Sequence, residues 1–92
     1  MKIRIKTFAQ IKDILGADSF LECQDDSSMM EFLKALRERA GKSEDQLFSR
    51  DGYLHSNLVL ILNGARIYEE EIDSLKLSEG DEITLFSPVS GG

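Results

Sequence analysis

Hydrophobic and polar residues alternate strictly at the start of the chain, over residues 2–7. Ile3, Ile5 and Thr7 share one side of this segment, and the positions on the other side are basic. A period of two is typical of a β-strand with one face in the core and the other in water. Alternation or short aliphatic runs predict four further strands, at residues 19–24, 57–62, 65–68 and 82–86.

The clearest helical pattern covers residues 28–40. Its apolar residues recur at spacings of four, three and four: Met29, Leu33, Leu36 and Ala40. This spacing places them on one face of an α-helix. Ser28 and Glu31 have the Ser-x-x-Glu spacing of a capping box, and Gly41 is suited to the position after a helix. We therefore predict an amphipathic helix that covers one face of a small sheet.

Turn signals separate the predicted elements. Asn63-Gly64 lies between two strands, and this pair is typical of a type I′ hairpin because both of its central positions need positive φ. Residues 78–81 predict another turn before the last strand. Residues 10–15 predict a short helix after the first strand. Residues 42–56 are polar and irregular, which indicates a long loop between the main helix and the third strand.

The order of the elements predicts the fold class. One main helix packed on one face of a four- or five-stranded mixed sheet is an α+β domain. The order matches the β-grasp, or ubiquitin-like, architecture, in which the first and last strands lie parallel at the centre of the sheet. We expect a single β-grasp domain over residues 1–86 and a flexible tail over residues 87–92.

Composition narrows the classes of function. The chain has 92 residues, 41% of them hydrophobic. Its longest apolar run, at residues 58–62, is far shorter than the ~20 residues of a membrane-spanning helix. The first residues lack the apolar stretch of a signal peptide, so we expect a cytoplasmic protein with no membrane partner. Eleven basic against seventeen acidic side chains give a net charge of −6, which disfavours nucleic-acid binding.

Few residues are available for catalysis or metal binding. Cys23 is the single cysteine and His55 the single histidine. One cysteine cannot form an internal disulfide, and a zinc site needs several Cys or His ligands. We expect no metal, no bound cofactor and no catalytic residues of the protein's own.

The C-terminal sequence carries a family resemblance. Gly-Asp-Glu at 80–82 precedes the last strand, and Pro88 and the terminal Gly91-Gly92 follow it. These motifs resemble the signature of molybdopterin synthase small subunits and thiazole-synthesis carriers, the MoaD/ThiS family of ubiquitin-like sulfur carriers. Ser87 stands where the molybdopterin branch commonly has a first proline. This departure leaves room for the related small archaeal modifiers, which share the fold and the tail.

The resemblance implies a function for the tail. The carboxylate of Gly92 would be adenylated by an adenylyltransferase similar to the ubiquitin-activating enzymes, which would use ATP, and would then become a thiocarboxylate. The molybdopterin synthase large subunit would receive the sulfur for molybdenum or tungsten cofactor synthesis. The tail residues that such partners would recognise are Ser87, Pro88, Val89, Ser90 and Gly91.

Other functions remain open for such a tail. A ubiquitin-like modifier would use the same activation and join Gly92 to lysines of target proteins through an isopeptide bond. A thiazole-synthesis sulfur carrier is a further alternative. A β-grasp binding module in which the terminal glycine pair is incidental is the remaining hypothesis. Of these, we favour the sulfur carrier of molybdopterin synthesis.

Five residues are candidates for the partner interface: Phe8, Phe86, Arg4, Lys6 and Arg66. Phe8 and Phe86 have the parity opposite to the inward isoleucines and leucines. Both rings therefore lie on the sheet face away from the helix if the first and last strands are neighbours. Exposed aromatic patches often mark partner sites, and a place at the core edge explains the two rings equally well. A solvated basic face is the simpler account of each basic residue alone.

Overall fold

The structure is a computed structural model that describes residues 1–88. Five strands form one sheet: β1 Lys2–Thr7, β2 Asp18–Glu22, β3 Val59–Leu62, β4 Ala65–Ile67 and β5 Glu82–Phe86. The helices of the described part are α1 Ala9–Leu15, α2 Met29–Ala40, the 3₁₀ helix Gly41–Gln46 and the single-turn α3 Glu69–Ile72. Each of these helices is too short or too polar to span a bilayer.

The sheet has the predicted β-grasp arrangement. Its strand order is β2-β1-β5-β3-β4, and β1 pairs with β5 in parallel while every other pair is antiparallel. In the central pair, Ile5 lies opposite Ile83 and Thr7 opposite Leu85. The first and last strands therefore occupy adjacent positions inside the sheet, which confirms the expectation from the order of elements.

Helix α2 covers one face of the sheet, which we call the inner face. The Ser28 hydroxyl accepts a hydrogen bond from the Glu31 amide at 3.1 Å, and the Ser28 amide donates to the Glu31 carboxylate at 2.9 Å. This is the predicted capping box, and Gly41 with φ of 58° follows the last helical residue. The buried residues of α2 join the strands in one core: Met29, Phe32, Leu33, Leu36 and Ala40 with Ile3, Ile5, Ile83 and Leu85.

The Asn63-Gly64 turn joins β3 to β4 as predicted. Both residues have positive φ, 51° and 88°. The Asn63 side chain also reaches β5, because its amide nitrogen donates to the Asp81 carboxylate and its oxygen accepts from the Glu82 amide, each at 2.9 Å. This asparagine therefore fixes both the hairpin and its position beside the last strand.

Several elements differ in extent from the sequence prediction; strand β4, for example, ends at Ile67 rather than residue 68. Strand β3 begins at Val59 rather than residue 57, because Val59 is the first residue opposite the end of β5. Strand β2 runs from Asp18 to Glu22 rather than from 19 to 24. Residues 69–72 form helix α3, which the sequence pattern did not predict. The Tyr68 amide donates to the Glu71 carboxylate at 2.8 Å, a local cap that closes this single turn.

Candidate functional site

The candidate site begins where the last strand ends. Strand β5 lies inside the sheet and finishes at Phe86, so the chain leaves the domain beside β1 and β3. Ser87 and Pro88 follow, and both are exposed. Four predicted site residues lie outside the described residues: the recognition residues Val89, Ser90 and Gly91 and the attachment residue Gly92.

A row of apolar side chains crosses the outer face of the sheet, the face opposite α2, at the end of β5 where the tail begins. Val59 of β3 lies opposite Phe86 of β5. Continuing the β1–β5 register by one position places Phe8 beside Phe86, and continuing the β3–β4 register places Tyr68 beside Val59. We call these four residues the aromatic row. They belong to, or directly follow, the four strands β1, β5, β3 and β4, which are neighbours in the sheet. Phe8 and Phe86 line one shallow hollow with Ser87.

Much of the aromatic row is open to solvent. Phe8 is 55% exposed and Tyr68 is 50% exposed. Val59 is buried, yet it stands outside the core cluster beneath α2. The structure thus places both predicted aromatic rings on the face away from the helix. Their role as a partner interface stays a prediction.

The predicted basic residues lie at different distances from this row. Adjacent to it is a second row in which Lys6, Thr84, Ile61 and Arg66 lie side by side. Lys6 and Arg66 therefore flank the aromatic row. Arg4 lies opposite Glu82, four residues from Phe86, or about 13 Å along the strand. The structure does not bring Arg4 to the aromatic row.

Carboxylates neutralise the two basic residues of β1. Arg4 pairs with Asp18 at 2.7 Å and with Glu82 at 3.5 Å, and Lys6 pairs with Glu82 at 3.7 Å. The hydrogen bond between Arg4 and Asp18 raises the pKa of the guanidinium and lowers the pKa of the carboxyl. All three ion pairs are exposed, so each contributes little to folding stability.

Sequence reasoning missed two members of the aromatic row, Val59 and Tyr68. The signal for Val59 was present in the aliphatic run at residues 58–62, because a strand without alternation has apolar side chains on both faces. No comparable signal marked Tyr68, whose position depends on the pairing of β4 with β3.

The described residues combine an exposed apolar surface with few groups that are arranged for catalysis or metal binding. No three His, Cys, Asp or Glu side chains among residues 1–88 are grouped so that they could hold a metal ion. Partial burial raises the pKa of the Cys23 thiol, which disfavours the reactive thiolate. The His55 Nε2 atom lies 2.7 Å from the backbone oxygen of Asp45. An exposed apolar surface beside the point where the tail begins is suited to docking on another protein.

Comparison with known proteins agrees with this geometry. A family model described as the ThiS family matches residues 5–92. Small archaeal modifier protein 1 of Haloferax volcanii is 30% identical over 88 residues, which cover 95% of this chain and 97% of that protein. Small archaeal modifier protein 3 of the same organism is 24% identical over 93 residues, with complete coverage of both. The crystal structure of SAMP1 from Haloferax volcanii matches over the full length of both chains, with 27% identity and a TM-score of 0.82. The chain therefore belongs to the ThiS family, whose members are small ubiquitin-like carrier proteins and modifiers.

Proposed function

We propose that this protein is a carried substrate: an activating enzyme docks on the aromatic row and adenylates the carboxylate of Gly92. The observation that supports the proposal is the position of the row at the foot of the tail. Phe8 and Phe86 stand beside Ser87, so a protein bound to the rings is next to the point where the tail begins. Six extended residues from 87 to 92 reach at most ~20 Å from that point.

The chemistry requires a partner because a carboxylate is a poor electrophile. With an ordinary pKa of about 3.3–3.7, the α-carboxyl is an anion at neutral pH. Its oxygen attacks the α-phosphorus of ATP, pyrophosphate leaves, and the resulting acyl-adenylate has AMP as a good leaving group. Two terminal glycines fit a narrow channel because they lack Cβ atoms. Pro88 restricts φ and so reduces the entropy that the tail loses on entering such a channel.

The acceptor of the activated tail distinguishes two functions. If a lysine amine displaces AMP and loses a proton, the product is an isopeptide and the protein is a modifier. The similarity to proteins named small archaeal modifiers over nearly the whole chain favours this acceptor. If hydrosulfide displaces AMP and loses its proton, the product is a thiocarboxylate and the protein is a sulfur carrier. The match to the ThiS family favours this acceptor. Among sulfur carriers, the sequence Phe86-Ser87-Pro88 is closer to the molybdopterin branch than to the thiazole branch, so we propose a molybdopterin synthase large subunit as the recipient of the sulfur.

Activation is tested by ATP–pyrophosphate exchange with the adenylyltransferase of the ubiquitin-activating type from the same cell. Deleting Gly92 shortens the extended tail by ~3.3 Å, and a misplacement of about 1 Å can reduce a rate a hundredfold. We expect exchange to be abolished by the deletion and by one added C-terminal residue, with unchanged thermal melts. A Pro88→Ala variant keeps the length of the tail and loses only the restriction on φ, so it should lose far less exchange than the deletion. Equal rates for the deletion variant and the wild type would refute the proposal.

Intact mass spectrometry of the protein from its native cell then separates the two acceptors. An oxygen-to-sulfur exchange at the C-terminus identifies the sulfur carrier. Branched peptides in which the tail is linked to lysine identify the modifier. Detection of both products would show that one activated state serves both acceptors.

A further inference from the structure

One cation beside the aromatic row, Arg66, has no carboxylate partner among residues 1–88. Arg4 and Lys6 on the same face are paired with Glu82, whereas no carboxylate of residues 1–88 lies within 4.0 Å of the Arg66 guanidinium. Arg66 is exposed and lies directly opposite Ile61, which in turn lies opposite Thr84. Its charge therefore stands next to the aromatic row without a direct ion pair, while Glu69 and Glu70 line the same hollow as Arg66 and Tyr68.

The side chain of Arg66 is nevertheless held in place. Its guanidinium carbon lies 4.8 Å from the centroid of the Tyr68 ring, within the range of a cation–π interaction. The guanidinium therefore lies over the ring, and a planar guanidinium carries its N–H donors in its own plane. Such an arrangement can donate two parallel hydrogen bonds to a carboxylate. Because the stack forms before binding, less side-chain entropy is lost when a partner arrives.

The distribution of charge favours an acidic group on the partner at this place. The rows of the outer sheet face contain four basic residues and three acidic ones: Lys2, Arg4, Lys6, Arg66, Asp18, Glu22 and Glu82. The whole chain has eleven basic and seventeen acidic side chains, so seven basic and fourteen acidic ones lie elsewhere. The outer face is weakly basic on a strongly acidic protein. A carboxylate on a partner meets attraction on this face and repulsion on the rest of the surface.

We propose that Arg66, stacked on Tyr68, is a specificity residue that binds a carboxylate of the activating enzyme at the edge of the aromatic row. The inference rests on the proposed function, because it assigns the chemistry of the partner surface for the same docking face. In this arrangement the aromatic row supplies apolar contact area, and Arg66 fixes the orientation of the bound activating enzyme. Arginine and tyrosine are also among the residue types that dominate binding energy at protein interfaces.

The test measures the affinity of the adenylyltransferase, together with pyrophosphate exchange, for four arginine variants over a series of salt concentrations. We expect Arg66→Ala to weaken binding on the order of tenfold and to flatten its salt dependence. Arg66→Glu should weaken binding further, because repulsion replaces attraction. Arg66→Lys should fall between wild type and Arg66→Ala, because lysine keeps the charge and loses the planar stacked fork. The matched control is Arg50→Ala, an exposed arginine of the loop that packs against α2 at Gly52, and it should leave affinity unchanged.

The Tyr68→Leu variant tests how much the stack of Arg66 on Tyr68 contributes to affinity. This variant keeps an apolar side chain and removes the ring, so part of the Arg66 effect should be lost, and the double variant should be less impaired than the sum of the two single ones. Wild-type affinity and salt dependence in Arg66→Ala would overturn the inference. Equal losses in Arg66→Ala and Arg66→Glu with no change in salt dependence would also overturn it, since packing alone would then explain the effect. A wild-type protein that supports no exchange would refute the proposed function itself, an outcome that the arginine variants cannot mimic.

Discussion

The two faces of the sheet use the same strands in different ways. On the inner face, Ile3, Ile5, Ile83 and Leu85 are completely buried beneath α2. On the outer face, the neighbouring positions of the same strands carry ion pairs toward one end and the half-exposed aromatic row toward the other. One face is completed by a helix of the chain itself, and the other has apolar side chains that nothing in residues 1–88 covers.

This difference separates residues needed for folding from residues available for recognition. Burial of large aliphatic side chains supplies most of the stability of a small domain. Large exposed aromatic side chains contribute less to folding, and they are common where a second protein binds. The inner face should therefore be sensitive to substitution in measurements of stability, and the outer face in measurements of binding.

The largest stability effect is expected on the inner face. Leu36 is completely buried, so Leu36→Ala should lower the free energy of unfolding by about 2–5 kcal/mol. Denaturant unfolding of the two proteins measures the difference. A loss below about 0.5 kcal/mol, the range of ordinary surface substitutions, would contradict the assignment of this helix face to the core.

Phe86→Ala should have its main effect on binding. An aromatic anchor at an interface can contribute about 2 kcal/mol or more, which corresponds to a roughly 30-fold loss of affinity for the adenylyltransferase. Phe8→Ala is a cleaner second variant, because a ring that is 55% exposed can contribute little to folding. Binding by calorimetry and thermal melts should be measured on the same preparations. Steep destabilisation with unchanged affinity of the folded protein would assign these rings to the core.

Val59→Ala tests whether the outer face has a small apolar layer of its own. The substitution removes two methyl groups from a side chain that is buried beside Phe86, and at about 0.8 kcal/mol per group the loss of stability should be about 1.5 kcal/mol. The matched control is Ile61→Val, which removes one carbon from a side chain on the same strand and the same face. A stability equal to that of the wild type would show that Val59 packs too loosely to matter.

The smallest expected effect is the pH dependence of the cap on α2. Hydrogen bonds from Ser28, first from its backbone amide, lower the pKa of Glu31 below its ordinary value of 4.5. A carboxyl whose pKa is lower in the folded protein stabilises the fold above the unfolded pKa, and this stabilisation is lost as the pH falls through the folded pKa. Wild type should therefore be more stable than Glu31→Gln near neutral pH, and the difference should disappear well below pH 4.5. A difference that persists in acid would mean that the charge of Glu31 has no part in the cap.

The sequence by itself determined the elements whose causes are local. The alternation around Ile3 and Ile5 is sufficient for β1, because the two faces of a strand repeat every two residues. Ser28 and Glu31 fix the start of α2 through bonds that span three residues, and Asn63-Gly64 fixes the hairpin through its positive φ angles. The parallel pairing of β1 with β5 has no local signal; it was expected only because the order of elements matches the β-grasp architecture, and the structure confirms it.

Only the tertiary structure decided how the candidate site is assembled. Phe8, Phe86, Val59 and Tyr68 are scattered from position 8 to position 86, and they form a row only because four strands adopt one register. The same register separates Arg4 from the row and leaves Arg66 stacked on Tyr68. Cross-strand neighbours are set by the pairing of distant segments, and a shift of one residue would move each side chain to the other face. A row of this kind therefore has no local signature in the chain, whereas each strand that contributes to it does.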